Sequence, residues 1–147
     1  MKKNKIITLL ILIVLSLYGY LNNKPDLLQS FAKESTTDES VLTSAIKNRK
    51  SDIQVLGSGV VIRTLADDTS GSRHQKFILK ISSGQTILIS HNIDLAPRIK
   101  SLRKGDTVNF YGEYEWTSKG GVVHWTHHDP RGNHIGGWLK HNGKKYQ

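Results

Sequence analysis

From Ile53 onward the chain is a succession of short apolar runs rich in β-branched residues, separated by turn-forming stretches. The first run, Ile53-Gln54-Val55-Leu56-Gly57-Ser58-Gly59-Val60-Val61-Ile62, has two glycines in its middle. This pattern restricts the fold more than any other feature of the sequence. The residue types are those of strands, and glycines inside a strand mark a bend, a bulge or a close approach of other backbone. Further strands are read at Phe77–Ile81, Thr86–His91, Thr107–Trp116 and Val122–Thr126, with turns at Asp67–Ser72, Ser82–Gln85, Lys104–Asp106 and Ser118–Gly121. Leu95–Ile99 reads as one helical turn, since proline is tolerated at a helix start. Five strands, interrupted between the third and the fourth, fit an all-β domain: a small five-stranded OB-like Greek-key barrel over 53–147. A β-sandwich would ordinarily need more strands.

The stretch Gly105-Asp106-x-Val108-x-Phe110-x-Gly112 resembles the fourth strand of many OB domains and supports the same layout. What precedes the β domain differs in composition. Lysines at 2, 3 and 5 are followed by an apolar run from Ile6 to Leu21. The pattern predicts an N-terminal membrane helix over 1–21, a signal anchor or uncleaved signal peptide, with Tyr18 and Tyr20 at the interface. By the positive-inside rule the rest of the chain is then extracytoplasmic, periplasmic or at the cell surface. Residues 22–52 read as a spacer and a short helix: Asn22–Thr37 is polar, with Pro25 and a brief turn around Leu27, Leu28 and Phe31. A short amphipathic helix follows, capped at Thr37 or Asp38. Its apolar stripe is Val41, Leu42, Ala45 and Ile46, and Lys47, Arg49 and Lys50 compensate the dipole at its end.

Four of the seven histidines lie in one stretch, His124-Trp125-Thr126-His127-His128-Asp129-Pro130-Arg131-Gly132-Asn133-His134. Each buried imidazole needs a hydrogen-bond partner or water, so such density marks a site. The chain has no cysteine, which excludes disulfides and leaves only His, Asp and Glu to hold a metal. If the fifth strand runs straight, His124, Thr126 and His128 share one face, and Val123, Trp125 and His127 the other. His124, His128, Asp129 and His134 form the candidate metal set, with His74 and His91 as further ligands; zinc or manganese suits such donors. No HExxH spacing is present. Two plainer readings stay open: histidines that brace loops through backbone carbonyls, and Asp129 bonding the backbone of its own turn. Glu113 and Glu115, which would share a strand face, and Asp67 and Asp68 in a loop, read as solvated carboxylates.

Trp116, Trp125 and Trp138, with Tyr111 and Tyr114, supply aromatic surface, and the net charge of +9 favours an anionic partner. Basic residues gather at Arg98, Lys100, Arg103 and Lys104 and again at Arg131, Lys140, Lys144 and Lys145. On a barrel such faces stack single-stranded nucleic acid or sugars. The plainer reading places the tryptophans in the core, with Trp138 in a loop tucked by Gly136 and Gly137.

Gly71-Ser72-Arg73-His74-Gln75-x-Phe77, His91 to Ile99, Gly105 to Trp116, His124 to Pro130 and Gly137-Trp138 together resemble a bacterial family, domain of unknown function 3465, over roughly Val55 to Gln147. The resemblance implies a small β-rich domain and brings no established activity and no catalytic residues. The leading expectation is a membrane-anchored binding module for an anionic or polymeric ligand, nucleic acid or an envelope glycan. Its ligand face would comprise Arg73, His74, His91, Trp125, His127, His128 and Arg131. The alternatives are a metal-dependent phosphodiesterase or nuclease built on the His/Asp cluster, and an assembly module whose histidines only brace loops.

Overall fold

The computed structural model describes the backbone of residues 2–22 and 40–147; within the first stretch it describes the side chains of 6–16 and 18–20. The chain divides into two units, Met1–Thr36 and Thr37–Gln147. In the first, helix α1 spans the 21 residues Lys2–Asn22, about 31 Å at the usual rise. Its large apolar side chains at Ile6, Ile7 and Leu9–Leu15 are all more than half exposed. The helix expected at the N-terminus is therefore present, and among the described residues no helix is long and apolar enough to cross a membrane. The expected turn at Leu27, Leu28 and Phe31 and the cap at Thr37 or Asp38 lie outside the described residues.

The second unit opens with helix α2 (40–47). Leu42 and Ala45 are buried in the core and Ile46 packs against it, while Val41 is exposed, so the apolar stripe is narrower than its sequence suggested. Arg49, in the left-handed region with φ 53°, ends the helix, and its guanidinium lies 5.4 Å from the centre of the Trp116 ring. The basic end of α2 thus has a packing role besides dipole compensation.

Seven strands follow: β1 (Ile53–Thr64), β2 (His74–Lys80), β3 (Thr86–Asn92), β4 (Thr107–Glu115), β5 (Val122–His124), β6 (Trp138–His141) and β7 (Lys144–Tyr146). Their order is β1-β2-β3-β5-β4, and β1 also pairs with β4, closing five strands into a barrel. β3 and β5 are parallel. The remaining barrel pairs are antiparallel. β1 serves both halves, pairing with β4 through Ile53–Val60 and with β2 from Val60 onward, with an irregularity between Val61 and Arg63. Gly57 lies opposite Phe110, and a side chain there would meet the Phe110 ring at 2.6 Å. Gly57 therefore lets a bulky core ring pass under a bending strand.

Two strands were not legible as such. β6 and β7 form a hairpin, and β6 pairs with Val108–Tyr111 of β4, beside the short β5 at Glu113–Glu115. Side chains alternate along β4, with Val108, Phe110, Gly112 and Tyr114 inward and Thr107, Asn109, Tyr111, Glu113 and Glu115 outward. The core joins Val55, Val61, Phe77, Leu79, Ile87, Ile89, Val108, Phe110, Tyr114, Val123 and Leu139 to Leu42 of α2. The helical turn expected over Leu95–Ile99 lies earlier, ahead of Pro97: Ala96 N–H donates to Asn92 C=O, and Asp94 N–H donates to the Asn92 side chain.

One end of the core is polar. Gln75 and His91 face each other across β2 and β3, and both are buried. The Gln75 amide donates to Ile99 C=O and accepts from Ile99 N–H, each at 2.9 Å. The His91 ring bonds the Thr126 hydroxyl through Nδ1 at 2.9 Å and reaches Pro97 C=O through Nε2 at 3.2 Å. These contacts pin the 97–99 segment and the start of the histidine stretch to the barrel. Burial pushes the His91 pKa down to about 4, so the ring is neutral and its two nitrogens have divided donor and acceptor roles.

Candidate metal centre on the outer face

β5 ends at His124, and Trp125 has φ 51°. A bulky residue in the left-handed region is strained, and it breaks the alternation that a straight strand would have carried to His128. Thr126 and His127 are both buried and His128 is exposed. The expected shared face of His124, Thr126 and His128 is therefore absent. His127 Nδ1 bonds His128 C=O at 2.8 Å, a loop-bracing role.

Asp129 organises the loop that follows it. One carboxylate oxygen accepts Arg131 N–H, and the other accepts Asn133 N–H and His134 N–H, at 2.7–3.0 Å. These bonds hold its pKa below the ordinary carboxylate value, the Arg131 amide contributing most. The loop is closed at its far end by Gly137, whose N–H donates to His127 C=O. A side chain at Gly137 would meet the carbonyl oxygens of Trp125 and Tyr111, so only glycine lets the returning chain lie this close. Folded back in this way, the loop stacks the His134 ring on Trp125, with centroids 3.8 Å apart and planes 15° apart.

That return brings His134 to a carboxylate that sequence reasoning had set aside. Glu113 faces outward on β4, directly across from His124 on β5. Its Oε1 lies 3.5 Å from His124 Nε2 and its Oε2 lies 3.8 Å from His134 Nδ1. Glu115 is the next outward residue, and one ligand atom each of Glu113, Glu115 and His124 lie within 4.8 Å of one another. His124 Nε2 is covered from solvent and makes no hydrogen bond. Burial lowers the His124 pKa, with Glu113 and Glu115 opposing. Neutral imidazole with a free nitrogen is the form that ligates metal. The amide nitrogen of Gln54, a residue paired with Glu113 from β1, is likewise covered and unbonded.

Of the expected metal set, His124 and His134 converge on Glu113, whereas Asp129 is engaged by backbone and His128 is part of no metal-ligand group among the described residues. Of the expected ligand face, His74, Trp125 and His127 line a pocket of about 250 Å³ together with Ser90, Asn92, Leu95 and His124, while His128 is exposed outside it. His74 Nδ1 is bonded to Ser72 C=O at 2.7 Å. His91 is inside the barrel, out of a ligand's reach. Arg73 is paired with Asp94 at 2.7 Å, and Arg131 is exposed on the loop. A second groove, of about 560 Å³, runs over β2 and β3 between the β1–β2 and β4–β5 loops, with Leu65, Ile78, Leu88, Val122, Lys76 and Lys119 among its lining.

No curated protein matches the chain. The family model described as a protein of unknown function (DUF3465) matches residues 26–147, a longer stretch than the motifs alone had marked, and the chain belongs to that family.

Proposed function

We propose that the protein is an OB-type barrel module whose outer face holds a divalent metal ion through Glu113, Glu115 and His124, with His134 beside Glu113 as a charged neighbour. The strand order and the parallel β3–β5 pair support the OB-type description. The observation that carries the metal reading is the convergence of the three side chains on one another around an unbonded His124 nitrogen. In a tetrahedral zinc site with bonds of about 2.0–2.1 Å, neighbouring donors are about 3.3 Å apart. The 3.5 Å between Glu113 Oε1 and His124 Nε2 is close to that, and the 4.8 Å limit for the full set closes by rotation of two partly exposed glutamates. Three protein donors leave a position for water or a ligand group, which is the arrangement a hydrolytic centre requires.

The test is elemental analysis of protein purified without a histidine tag, followed by calorimetric titration with Zn²⁺ and Mn²⁺. One equivalent bound per chain is the expected result. Absence of metal after purification, together with no heat of binding for either ion, would refute the reading. The competing description, histidines that only brace the fold, is favoured at His91, His127 and His141, each of which bonds a backbone or side-chain partner. At His124 the ring nitrogen has the 3.5 Å approach of Glu113 Oε1 but no hydrogen bond.

The extracytoplasmic, membrane-anchored placement is also part of this proposal. Its support is the apolar N-terminal run and the exposure of its side chains along α1. Cell fractionation of the full chain should recover it with membranes after a high-salt wash; recovery in the soluble fraction would sink the anchoring.

A further inference from the structure

We infer that the outer face formed by β4, β6 and β7 binds single-stranded nucleic acid, with bases on Trp138 and Tyr111 and phosphates at Lys140 and Lys145. The barrel's cations differ in how they are partnered. Around the β1–β2 loop they are already neutralised: Arg73 by Asp94, Lys76 by Asp68 and Arg98 by Asp67. Among the described residues, Lys140, Lys144 and Lys145 have no carboxylate partner, and no acidic residue follows Asp129 in the chain. The hairpin that carries them is the part of the sheet added outside the five-stranded barrel.

Register sets the aromatic residues beside these charges. Trp138 pairs with Tyr111, and Lys140 pairs with both Asn109 and Lys145. Trp138, Lys140, Asn109 and Tyr111 all alternate with buried neighbours and so face outward. The two rings lie 6.3 Å apart and tilted by 33°, and Lys145 Nζ lies 5.3 Å from the Trp138 ring centre. An aromatic pair flanked by unpaired lysines provides base stacking and phosphate neutralisation together. The groove over β2 and β3 has no aromatic lining residue, and one of its two lysines is paired, so it is the weaker place for stacked bases. The surface also adjoins the proposed metal centre, since Tyr111 and Glu113 are successive outward residues of β4. Nucleic-acid binding by this face stands whether or not the metal is held.

The test is fluorescence anisotropy of a labelled oligothymidylate with the full chain, in chelator and at low ionic strength. Binding should weaken steeply as salt is added. Trp138→Ala should lower affinity about 10-fold or more, and Trp138→Phe should restore much of it. Lys140→Ala with Lys145→Ala, both at exposed positions, should flatten the salt dependence by about two phosphate contacts. Because the titration is run in chelator, binding here is read without metal, so the two proposals fail separately. No binding at low salt would overturn the inference. So would binding that ignores both the Trp138 and the lysine substitutions, or binding only to anionic phospholipid vesicles.

Discussion

Glu113→Ala is expected to lower affinity for Zn²⁺ or Mn²⁺ by on the order of 100-fold or more while leaving the barrel folded. Changes to groups that merely support metal ligands already cost about 10- to 100-fold, and Glu113 is the residue on which both His124 and His134 converge. Its side chain points outward from β4 and makes no bond to the core, so the fold should change by less than about 0.5 kcal/mol. Removing it also relieves the repulsion between two neighbouring carboxylates. The metal-free variant should therefore melt no lower than the metal-free parent. The two proteins should part only when metal is added, because an ion that binds the native state raises its stability by mass action. Thermal melts with and without Zn²⁺ read this directly. A metal-induced rise in melting temperature that survives Glu113→Ala would place the ion elsewhere.

The barrel was legible because its signal is local. Alternation, β-branched runs and glycine-bearing turns gave five strands, and the glycines at 57 and 59 announced a first strand that bends. The β6–β7 hairpin was missed because Trp138–His141 and Lys144–Tyr146 are short, and exposed lysines make up much of their length. The site was half legible. Histidine density drew attention to the right segment, but the partners of each ring depend on facts that no local pattern carries. The positive φ at Trp125 ends the alternation on which the expected ligand set rested. The register between β4 and β5 sets Glu113 against His124, and that pairing joins residues eleven apart through a turn. His134 arrives only because Asp129 gathers three amides and Gly137 admits close backbone contact. Asp129 takes its plainer role, as the acceptor of backbone amides in its own turn. Glu113 and Glu115 had a signal, two carboxylates on one strand face, but it acquires meaning only beside an imidazole from the neighbouring strand.

Acidification through the range between about pH 6.5 and pH 4 is expected to remove about 3 kcal/mol of stability through His91 alone. The ring is buried in the barrel end, neutral, and bonded at both nitrogens, and its folded-state pKa is about 4 against an ordinary 6.5. Below pH 6.5 the unfolded chain takes up a proton at this position that the folded chain refuses. Stability is thus fully present above that pH and is lost as the pH falls toward the folded value. A shift of this size at about 1.4 kcal/mol per pH unit gives the figure stated. His91→Gln isolates the contribution, because glutamine does not titrate and its amide keeps a donor and an acceptor for Pro97 and Thr126. Urea unfolding at pH 7.5, 6, 5 and 4.5 should show the two proteins losing stability at different rates, the parent faster. The variant is expected to start lower at pH 7.5, since a shorter amide fills the ring's place imperfectly, and to close the gap on acidification. Parallel stability curves across this range would mean that His91 is protonated in the folded barrel. The polar end of the core would then have to accommodate an imidazolium, with the Pro97 carbonyl and the Thr126 hydroxyl both accepting from it.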